Sequence, residues 1–408
     1  MSRLPARLQP AWPLVKRLHR RSSYLLGLVF RALSRLLGAG GVPTRATTTS
    51  AETARLEPAT VRLHPGGPAE TLDRGPAVGL PHGHWVFRAG EHAEVPARYT
   101  LELDRGRLTG DFAAATTAGK VLDYQTSGYF GIASWREHPV FLRPTLGQVE
   151  HVPGTVLSLT ARGSDRNYYH FLYDALARYG IFEECLPGRA VDAIVVPHQT
   201  RYQRELLGLA GIEGRFVQPR PGVTVAADTL LVPSTPNQDL DAPSATVQWL
   251  RRRLPPSGAT GTPRRLYLSR GQQPNTRRYV QEAQLWPTLE RLGFVMLDPG
   301  SLSVQEQIDV FHGAEVILSP HGAALTNVTF SRPGVKVLEM FASTYVHLGL
   351  WTICEAVGGV EYRYLVGNGP TREGRPMTGV LDDIDIDPAV VERTLEELMA
   401  GPGHSATG

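Results

Sequence analysis

Hydrophobic and polar residues follow two different patterns along the chain. Between residues 82 and 144, short alternating runs separated by Gly and Pro predict a β-rich region. After residue 155, nearly continuous apolar runs alternate with longer amphipathic segments. The second pattern is typical of parallel strands that are covered by helices on both faces. We therefore predict an α/β protein with a β-rich elaboration near its N-terminus.

The same patterns predict individual elements on both sides of residues 255–263, a Pro-, Gly- and Thr-rich stretch that we take as a domain boundary. The predicted strands before it are 84–87, 98–103, 120–124, 139–142, 155–159, 193–196 and 229–232. The predicted helices before it are 167–179, 203–209 and 244–254. The predicted strands after it are 266–269, 294–297, 316–318, 336–340 and 362–366. The predicted helices after it are 281–292, 303–311, 324–330, 345–357 and 388–399.

Two α/β units of this kind imply two lobes, with a cleft where ligands bind beyond the carboxyl ends of the strands. We divide the chain into five segments. They are a basic amphipathic tail at 1–45, a linker at 46–80, an N-terminal lobe at 81–254, a C-terminal lobe at 263–367, and a C-terminal helix and tail at 368–408.

The N-terminal tail differs from the rest of the chain in charge. Residues 1–51 contain nine Arg or Lys and no Asp or Glu, while the remainder has a formal charge of −6. The longest apolar stretch is shorter than the roughly 20 residues that span a bilayer. On a helical wheel, one face within about 140° is apolar and arginines occupy the other. The apolar side chains are Leu25, Leu26, Val29, Phe30, Leu33, Leu36 and Leu37. Residues 14–37 are thus predicted to lie on an anionic membrane surface; the alternatives are packing on the protein's own body and an unstructured extension.

Composition excludes several other classes of protein. With 42% hydrophobic and 20% charged residues, the chain is typical of a globular protein rather than a disordered one. The acidic body argues against a nucleic-acid-binding protein. The two cysteines, Cys185 and Cys354, are too few and too distant for a disulfide framework or a cysteine metal site. Reduced thiols indicate a cytoplasmic protein, which the basic tail would hold at the inner face of the membrane.

A turn in the second lobe is suited to an anion. Residues 319–327, Ser-Pro-His-Gly-Ala-Ala-Leu-Thr-Asn, lie between two apolar runs and are predicted to form a strand, a turn and a helix. The N–H groups that open a helix are unpaired and favour a phosphate. A Gly needed only for packing is the alternative.

The predicted helix at 167–179 carries a polar stripe. Asn167, His170, Asp174 and Arg178 project within about 80° of one another on a 3.6-residue period. A His and an Asp four residues apart can share a proton or orient one another, as a general base requires. A solvated polar face is the alternative.

Four segments together resemble glycosyltransferase family 61. They are Asn-Tyr-Tyr-His-Phe-Leu-Tyr-Asp at 167–174, Leu-Tyr-Leu-Ser-Arg at 266–270 followed by Arg277 and Arg278, the His-Gly-Ala turn at 321–323, and Pro-Gly-Val-Lys-Val-Leu-Glu at 333–339. The resemblance extends from about residue 156 to about residue 361. It departs from the family at Gln281-Glu282, where many members have Asn-Glu, and at Phe171, which is often Trp. These departures bear on the choice of donor more than on activity.

The resemblance implies a GT-B fold, with two Rossmann-like lobes, and implies roles for named residues. His170 or Asp174 is the base, and the choice between them stays open. Asn167 and Arg178 lie on the acceptor side. The residues implied for the donor and its phosphates are Arg270, Arg277, Arg278, His321, Gly322, Ala323, Asn327 and Glu339. Of these, Arg270 and Glu339 also stand near the carboxyl ends of predicted strands, where a guanidinium can meet a phosphate and a carboxylate can accept from ribose hydroxyls. The alternatives are a solvated loop for the arginines, a residue that braces the loop by capping backbone groups for Asn327, and a buried ion pair or helix-cap partner for Glu339.

We therefore expect an inverting glycosyltransferase that moves a sugar from a nucleotide-sugar, such as a UDP-sugar, to a glycan or a lipid-linked glycan in cell-surface or capsular polysaccharide biosynthesis. We expect no cofactor and no metal, because the two Asp-x-Asp segments, 239–241 and 383–387, lie in contexts that suit loops and helix caps. The main alternative is a non-catalytic nucleotide- or glycan-binding protein that kept the fold. A hydrolase or phosphotransferase with His321 as its nucleophile is a second.

Overall fold

Two large β-sheets form the framework of the protein in the computed structural model, which describes residues 12–271, 277–369 and 379–400. The α-helices are α1 Trp12–Ser34, α2 Ser50–Leu56, α3 Trp85–Arg88, α4 Tyr168–His170, α5 Arg178–Cys185, α6 Arg201–Leu209, α7 Ser244–Arg253, α8 Glu282–Arg291, α9 Val304–Gly313, α10 Gly349–Val357 and α11 Pro388–Ala400. A π-helical turn at Phe171–Leu176 joins α4 to α5, and a 3₁₀ helix occupies Ala323–Phe330.

The first sheet has ten strands and belongs to the N-terminal lobe. Its strands are β1 Arg45–Thr47, β2 Val61–Pro65, β6 Tyr99–Asp104, β7 Arg107–Thr109, β8 Ala114–Thr116, β9 Val121–Asp123, β10 Gln148–Ser158, β11 Ala193–Val195, β12 Phe216–Val217 and β13 Val223–Pro233. Their order is β1-β9-β8-β7-β13-β10-β11-β12, with β6 also paired to β13 and β2 paired to β6. The pairs β10–β13, β10–β11 and β11–β12 are parallel, whereas β6, β7 and β8 run antiparallel to their neighbours. The predicted β-rich elaboration and the predicted parallel strands are therefore one mixed sheet.

The second sheet has six strands, all parallel, in the order β15-β14-β16-β17-β18-β4. Its strands are β4 Val78–Leu80, β14 Arg265–Leu268, β15 Val295–Leu297, β16 Val316–Pro320, β17 Lys336–Phe341 and β18 Glu361–Val366. Every residue of β16 is buried, and so are five of the six residues of β17. That continuous burial is the pattern of a sheet covered on both faces, and it explains why the sequence predicted these strands well. The remaining strands, β3 Glu70–Asp73 and β5 His92–Val95, form a small hairpin-like pair.

The segment predicted as a linker, 46–80, is ordered and belongs to both lobes. Within it, β2 pairs with β6 in the first sheet, while β4 adds a parallel edge strand beside β18 in the second. Gly79 makes this possible, because a Cβ at that position would collide with Tyr364. Gly and Pro signal turns, but they carry no information about which sheet a short strand joins.

Two strands predicted before residue 144 are wrong. Residues 84–87 contribute instead to α3, where Val86 and Phe87 are both buried against the second lobe, so burial does not alternate as it would in a strand. Residues 139–142 begin a 3₁₀ turn at Pro139, a residue that suits the first position of a helix.

The two lobes share a buried apolar cluster. Phe171 and Leu176 of the π-helical turn pack in it together with Ile308, Phe330 and Ile353 from the C-terminal half. Because the elements that carry the polar stripe are buried on their other side against both lobes, the stripe is held at the junction of the lobes.

Among the described residues, no helix combines the length and the apolar character that crossing a bilayer demands. Cys185 and Cys354 are both free thiols, and burial raises the pKa of each. The prediction of a tail at the C-terminal end concerns residues 401–408, which lie outside the described part, as do residues 1–11 of the predicted basic tail.

Candidate active site

A cavity of about 540 Å³ opens between the two lobes. Residues 111–170 supply one wall and residues 277–353 supply the other. The polar and aromatic side chains that line it are Asp111, Phe112, Tyr129, Phe130, Arg162, Asp165, Arg166, Asn167, Tyr169, His170, Arg277, His321, Thr326, Tyr345 and His347. Asn167 and His170 of the predicted polar stripe and the predicted anion turn thus face the same space from opposite sides.

His170 stands at the start of the interrupted helix with its ring held by a carboxylate. Its Nδ1 lies 2.6 Å from Oδ2 of Asp174. The other oxygen of Asp174 accepts from Nδ2 of Asn237 at 3.2 Å, and Asn237 also donates to the hydroxyl of Tyr169 at 2.9 Å. Because Asp174 takes Nδ1, the nitrogen left to His170 for a ligand is Nε2. Asp174 itself does not line the cavity.

Asn167 fixes where this helix begins. Its Oδ1 accepts from the backbone N–H groups of Tyr169 and His170, which is the geometry of an N-cap. The preceding turn brings Gly163 against the imidazole with φ of 84°, and a Cβ there would approach Cδ2 of His170 to 3.0 Å. The predicted acceptor-side residue Asn167 does line the cavity, but its side-chain oxygen is engaged by the backbone.

Arg178 departs from the prediction. It is buried and donates to three backbone carbonyls, those of Asp174, Thr126 and Pro233, so it supports the helix from below and does not line the cavity. The reason is the π-helical turn, in which the N–H of Ala177 donates to the carbonyl of Leu172. Its wider turn rotates everything after residue 176 relative to a 3.6-residue wheel. The predicted alignment on one helix face is therefore observed for His170 and Asp174, but not for Arg178 one turn later.

An aromatic and cationic stack covers His170, and no motif in the sequence pointed to it. The ring of Phe130 stacks on the imidazole with centroids 5.4 Å apart and planes 13° apart. The guanidinium of Arg162 lies 3.8 Å from the centroid of Phe130 and 3.6 Å from that of Tyr129. Burial lowers the pKa of Arg162. The only signal was a Tyr-Phe pair between Gly128 and Gly131, a pattern that suits an aromatic loop.

The opposite wall holds a second histidine–carboxylate pair. Nδ1 of His321 lies 2.6 Å from Oε1 of Glu339, whose Oε2 accepts from the hydroxyl of Tyr362 at 2.7 Å. Glu339 is fully buried, and burial raises its pKa to about 8. Burial, and then the charges of Arg277 and Arg270, lower the pKa of His321. Both groups are therefore uncharged near neutral pH; the carboxyl donates to Nδ1, which leaves an N–H on Nε2 of His321.

Glu339 thus does not have the environment expected of a ribose ligand. Both of its oxygens are occupied, by His321 and Tyr362, and it lies outside the lining of the cavity. The sequence located it correctly at the end of a strand, but β17 is covered on both faces, so its side chain is enclosed.

The three predicted arginines have three different settings. Arg277 lines the cavity, with its guanidinium 5.4 Å from the ring centroid of Tyr345. Its backbone has a positive φ of 73°, and its N–H donates to Asp383 at 2.9 Å. Arg270 lies behind the turn, with Nη1 3.4 Å from the carbonyl of His321, and burial followed by the charge of Arg277 lowers the pKa of Arg270 to about 10. Arg278 is exposed and does not line the cavity.

Gly322 and Ala323 line the cavity where the 3₁₀ helix starts. A Cβ on Gly322 would collide with the guanidinium of Arg270, so glycine is required here for a close approach rather than for a special backbone angle. Asn327 is fully buried, accepts from Tyr168 at 2.7 Å and donates to Gln307 at 2.9 Å. Its side chain therefore braces the lobes against each other and does not line the cavity.

His347 and Tyr345 complete the C-terminal wall and were not predicted. The imidazole centroids of His347 and His321 are 5.4 Å apart. Burial, and then the neighbouring His321, lower the pKa of His347 to about 3, so this ring is neutral. His347 belongs to no recognisable metal-ligand motif, so the sequence alone does not indicate that its side chain faces a cavity.

The acidic Asp-x-Asp segments lie apart from this cavity. Asp241 pairs with Arg74, Asp383 accepts from the backbone of Arg277, and Asp387 caps the start of α11. Over the described parts of the chain, no three His, Cys, Asp or Glu side chains are grouped so that they could hold a metal ion.

The comparisons with known proteins agree with the geometry. The family model of Glycosyltransferase 61 matches residues 168–338, a range that includes the helix of His170, the loop of Arg277 and the His-Gly-Ala turn. The chain therefore contains a glycosyltransferase family 61 domain. The protein is accordingly an enzyme of the glycosyltransferase class. Among curated proteins no match was found.

Proposed function

We propose that this glycosyltransferase inverts the anomeric configuration and works without a metal, moving a sugar from a nucleotide-sugar such as a UDP-sugar to a glycan acceptor in cell-surface or capsular polysaccharide biosynthesis. One observation carries the proposal. A carboxylate-held imidazole and a cationic turn face each other across one cavity, which is the arrangement that deprotonation on one side and departure of a phosphate on the other would need.

His170 is the base in this scheme. Its Nε2 takes the proton of the acceptor hydroxyl while the hydroxyl oxygen attacks the anomeric carbon. The bond from that carbon to the diphosphate oxygen breaks, and the nucleoside diphosphate leaves from the opposite face, so the configuration inverts. Asp174, whose oxygens already bind His170 and Asn237, stabilises the imidazolium that forms. This division of roles favours His170 over Asp174, a choice that the sequence left open.

The leaving diphosphate is stabilised by cations and N–H donors. Arg277 reaches the cavity, and the neutral His321 offers Nε2–H beside it. The 3₁₀ helix that begins at Ala323 adds its first backbone N–H groups. Charge-assisted hydrogen bonds of this kind do for a departing phosphate what a divalent metal does in other enzymes. Arg270, held behind Gly322, strengthens the positive field there.

Phe130 and Arg162 belong to the acceptor side of the scheme. Their stack closes over His170 and both side chains line the cavity, so they are placed to contact the acceptor beside the proposed base. This assignment makes the N-terminal wall the acceptor wall and the C-terminal wall the donor wall.

The test is transfer from a panel of nucleotide-sugars to an oligosaccharide acceptor, with and without EDTA, followed by NMR of the anomeric proton in the product. The proposal expects transfer that EDTA does not reduce and a product of inverted configuration. Transfer that requires a divalent cation would return the Asp-x-Asp segments to consideration. Binding of a nucleoside diphosphate without any transfer would favour the non-catalytic alternative.

A further inference from the structure

Helix α1 presents an apolar face that none of the described residues covers. Leu18, Leu25, Val29 and Leu33 are 58, 61, 52 and 43% exposed. At about 100° per residue these four side chains fall within one 80° sector of the helix, whereas the exposed Tyr24 and Leu28 lie outside it. Exposed leucines and valines concentrated on one sector differ from apolar residues scattered singly on a surface, and they indicate an interaction site.

The helix is nevertheless docked, by its opposite side. Ser23, Gly27 and Ser34, three small residues on one stripe, are its buried positions, and Gly27 lies against Phe141. The backbone carbonyl of Ser34 accepts from Nζ of Lys120 at 2.7 Å. The small residues let the helix pack closely against the rest of the protein. Because they lie on the opposite side from the leucines, this packing leaves the leucines exposed to solvent. The helix therefore packs on the protein's own body, which was one of the alternatives from the sequence. Its apolar face nevertheless remains exposed.

The charges beside this face have one sign only. Residues 12–37 include six Arg or Lys and no Asp or Glu. Arg17 and Arg21 fall between the docked stripe and the apolar face, within a sector of about 40°. A helix with one apolar face and a basic flank lies in the interface of an anionic bilayer, with the apolar side among the acyl chains.

A second copy of the chain is a poorer occupant. Two such faces in contact would bring Arg17 and Arg21 of one copy close to the same residues of the other, with no acidic residue on the helix to pair them, and like charges at an interface oppose association. Anionic headgroups supply the missing negative charge. The helix does not meet the requirements for crossing a bilayer, so a position along the surface is the one that its length and composition support.

The docked side connects this face to the cavity. Arg31 of α1 lies over the rings of Trp135 and Phe141, at 5.2 and 5.5 Å from their centroids. Phe141 belongs to the same buried cluster as Phe112, which lines the cavity and meets the edge of Tyr129 at 5.7 Å. The helix therefore sits on the layer of side chains whose other surface is the acceptor wall.

We propose that α1 binds an anionic lipid surface through Leu25, Val29 and their neighbours, and that this binding holds the acceptor wall of the cavity close to the membrane. The acceptor is then a glycan carried on a lipid. That last step rests on the proposed function, whereas lipid binding itself does not.

The experiment uses the purified full chain and co-sedimentation with vesicles of phosphatidylcholine alone or with about one third phosphatidylglycerol, a fraction that gives a strongly negative surface. Wild type should bind the anionic vesicles, and Leu25→Glu with Val29→Glu should lose that binding. Arg17→Glu with Arg21→Glu should weaken it by at least about fivefold for each charge, the equivalent of ~1 kcal/mol per basic residue. Leu209→Glu, at an exposed leucine on α6 that is 38% accessible, is the control and should bind as wild type does.

Two results would overturn the proposal. One is equal binding of wild type and the double Leu25/Val29 variant to anionic vesicles. The other is a wild-type dimer in sedimentation velocity that the double variant converts to a monomer, with no vesicle binding by either. Transfer to a soluble acceptor, measured on the same variants, separates this proposal from the proposed function, because the α1 variants should keep that activity even if vesicle binding is lost.

Discussion

Two histidine–carboxylate pairs face each other across the cavity with the same local geometry and different surroundings. In each, Nδ1 lies 2.6 Å from a carboxylate oxygen. The His170 pair borders solvent, with side-chain exposures of 21% and 15%, whereas Glu339 of the other pair is completely enclosed. Arg277 and Arg270 also place positive charge beside His321. The comparison teaches that the distance within a pair does not define its role; the surroundings decide whether it can accept a proton or stays neutral and donates.

The largest effect is expected on the His170 side. His170→Asn should lower kcat by roughly 10²–10⁴-fold, the usual contribution of a general base. The measurement is kcat for sugar transfer at saturating donor. His151→Asn is the matched control, since His151 forms a similar pair with Asp228 on the exposed surface of the same lobe, 2.9 Å apart. Equal losses in both variants would remove the distinction between the two sites.

Exchanging each carboxylate for its amide tests the comparison directly. Asp174→Asn should reduce kcat by roughly 10–10³-fold, because the amide cannot stabilise an imidazolium and can donate to Nδ1 in place of accepting. Glu339→Gln should change kcat less than tenfold, because the native carboxyl is already uncharged there. If Glu339→Gln were as damaging as Asp174→Asn, the buried pair would have to be ionised during the reaction.

The arginine loop offers a test of the donor wall. Arg277→Ala should raise the dissociation constant of a nucleoside diphosphate by roughly 10–100-fold, since a charge-assisted hydrogen bond contributes about 1.5–3 kcal/mol. The adjacent Arg278→Ala should leave it unchanged, because that side chain is outside the cavity. Thermal stabilisation by a nucleoside diphosphate measures both, and a larger loss from Arg278→Ala would contradict the placement of the two side chains.

The buried pair should also leave a mark on stability. Burial raises the pKa of Glu339 to about 8 and lowers that of His321. Below pH 6.5 and above the ordinary pKa of a glutamate, folded and unfolded states each hold one proton on this pair. Between about pH 6.5 and 8 the folded pair keeps a proton that the unfolded chain has released, so its contribution to stability falls as pH rises.

This pH effect amounts to roughly 1–2 kcal/mol over the window, at ~1.4 kcal/mol per pH unit for one proton. Glu339→Gln should remove it. The measurement is the free energy of unfolding in guanidinium for both proteins at pH 6.5 and pH 8. The change between the two pH values in wild type is then compared with the same change in Glu339→Gln. A wild-type decrease that persists unchanged in Glu339→Gln would mean that Glu339 is ionised in the folded protein.

The smallest effect is expected from the stack over His170. Phe130→Leu keeps an apolar side chain and removes the aromatic face, which should lower kcat/KM by roughly 2–10-fold, the equivalent of an aromatic pair. Phe130 is itself 55% exposed, so the change should not alter folding. An unchanged kcat/KM for every acceptor would exclude the stack from the acceptor wall.

Much of the second lobe could be predicted from the sequence, because its strands are continuously apolar and its helices carry clear caps. Ser303, for example, caps α9 with Glu306 in a reciprocal pair of hydrogen bonds. The His-Gly-Ala turn and the His170–Asp174 pair were found for similar reasons, since both depend on spacing within a single element.

What the sequence missed depends on contacts between distant segments or on backbone irregularity. The π-helical turn places Arg178 in the core, and the hydrophobic periodicity of the sequence does not predict such a turn. The enclosure of Glu339 depends on Tyr362 from the neighbouring strand. Phe130, Arg162 and His347 come from loops and turns, where chemistry is positioned by the scaffold rather than by a repeating pattern.

The most direct test of the account measures two properties of His170→Asn in parallel: the dissociation constant of the nucleoside diphosphate and the rate of sugar transfer. We predict a dissociation constant within about twofold of wild type, because the proposed base lies on the proposed acceptor wall, together with transfer reduced by at least ~10². Transfer at the wild-type rate would contradict the assignment of the base, and a loss of nucleotide binding equal to the loss of transfer would contradict the division of the cavity into two walls.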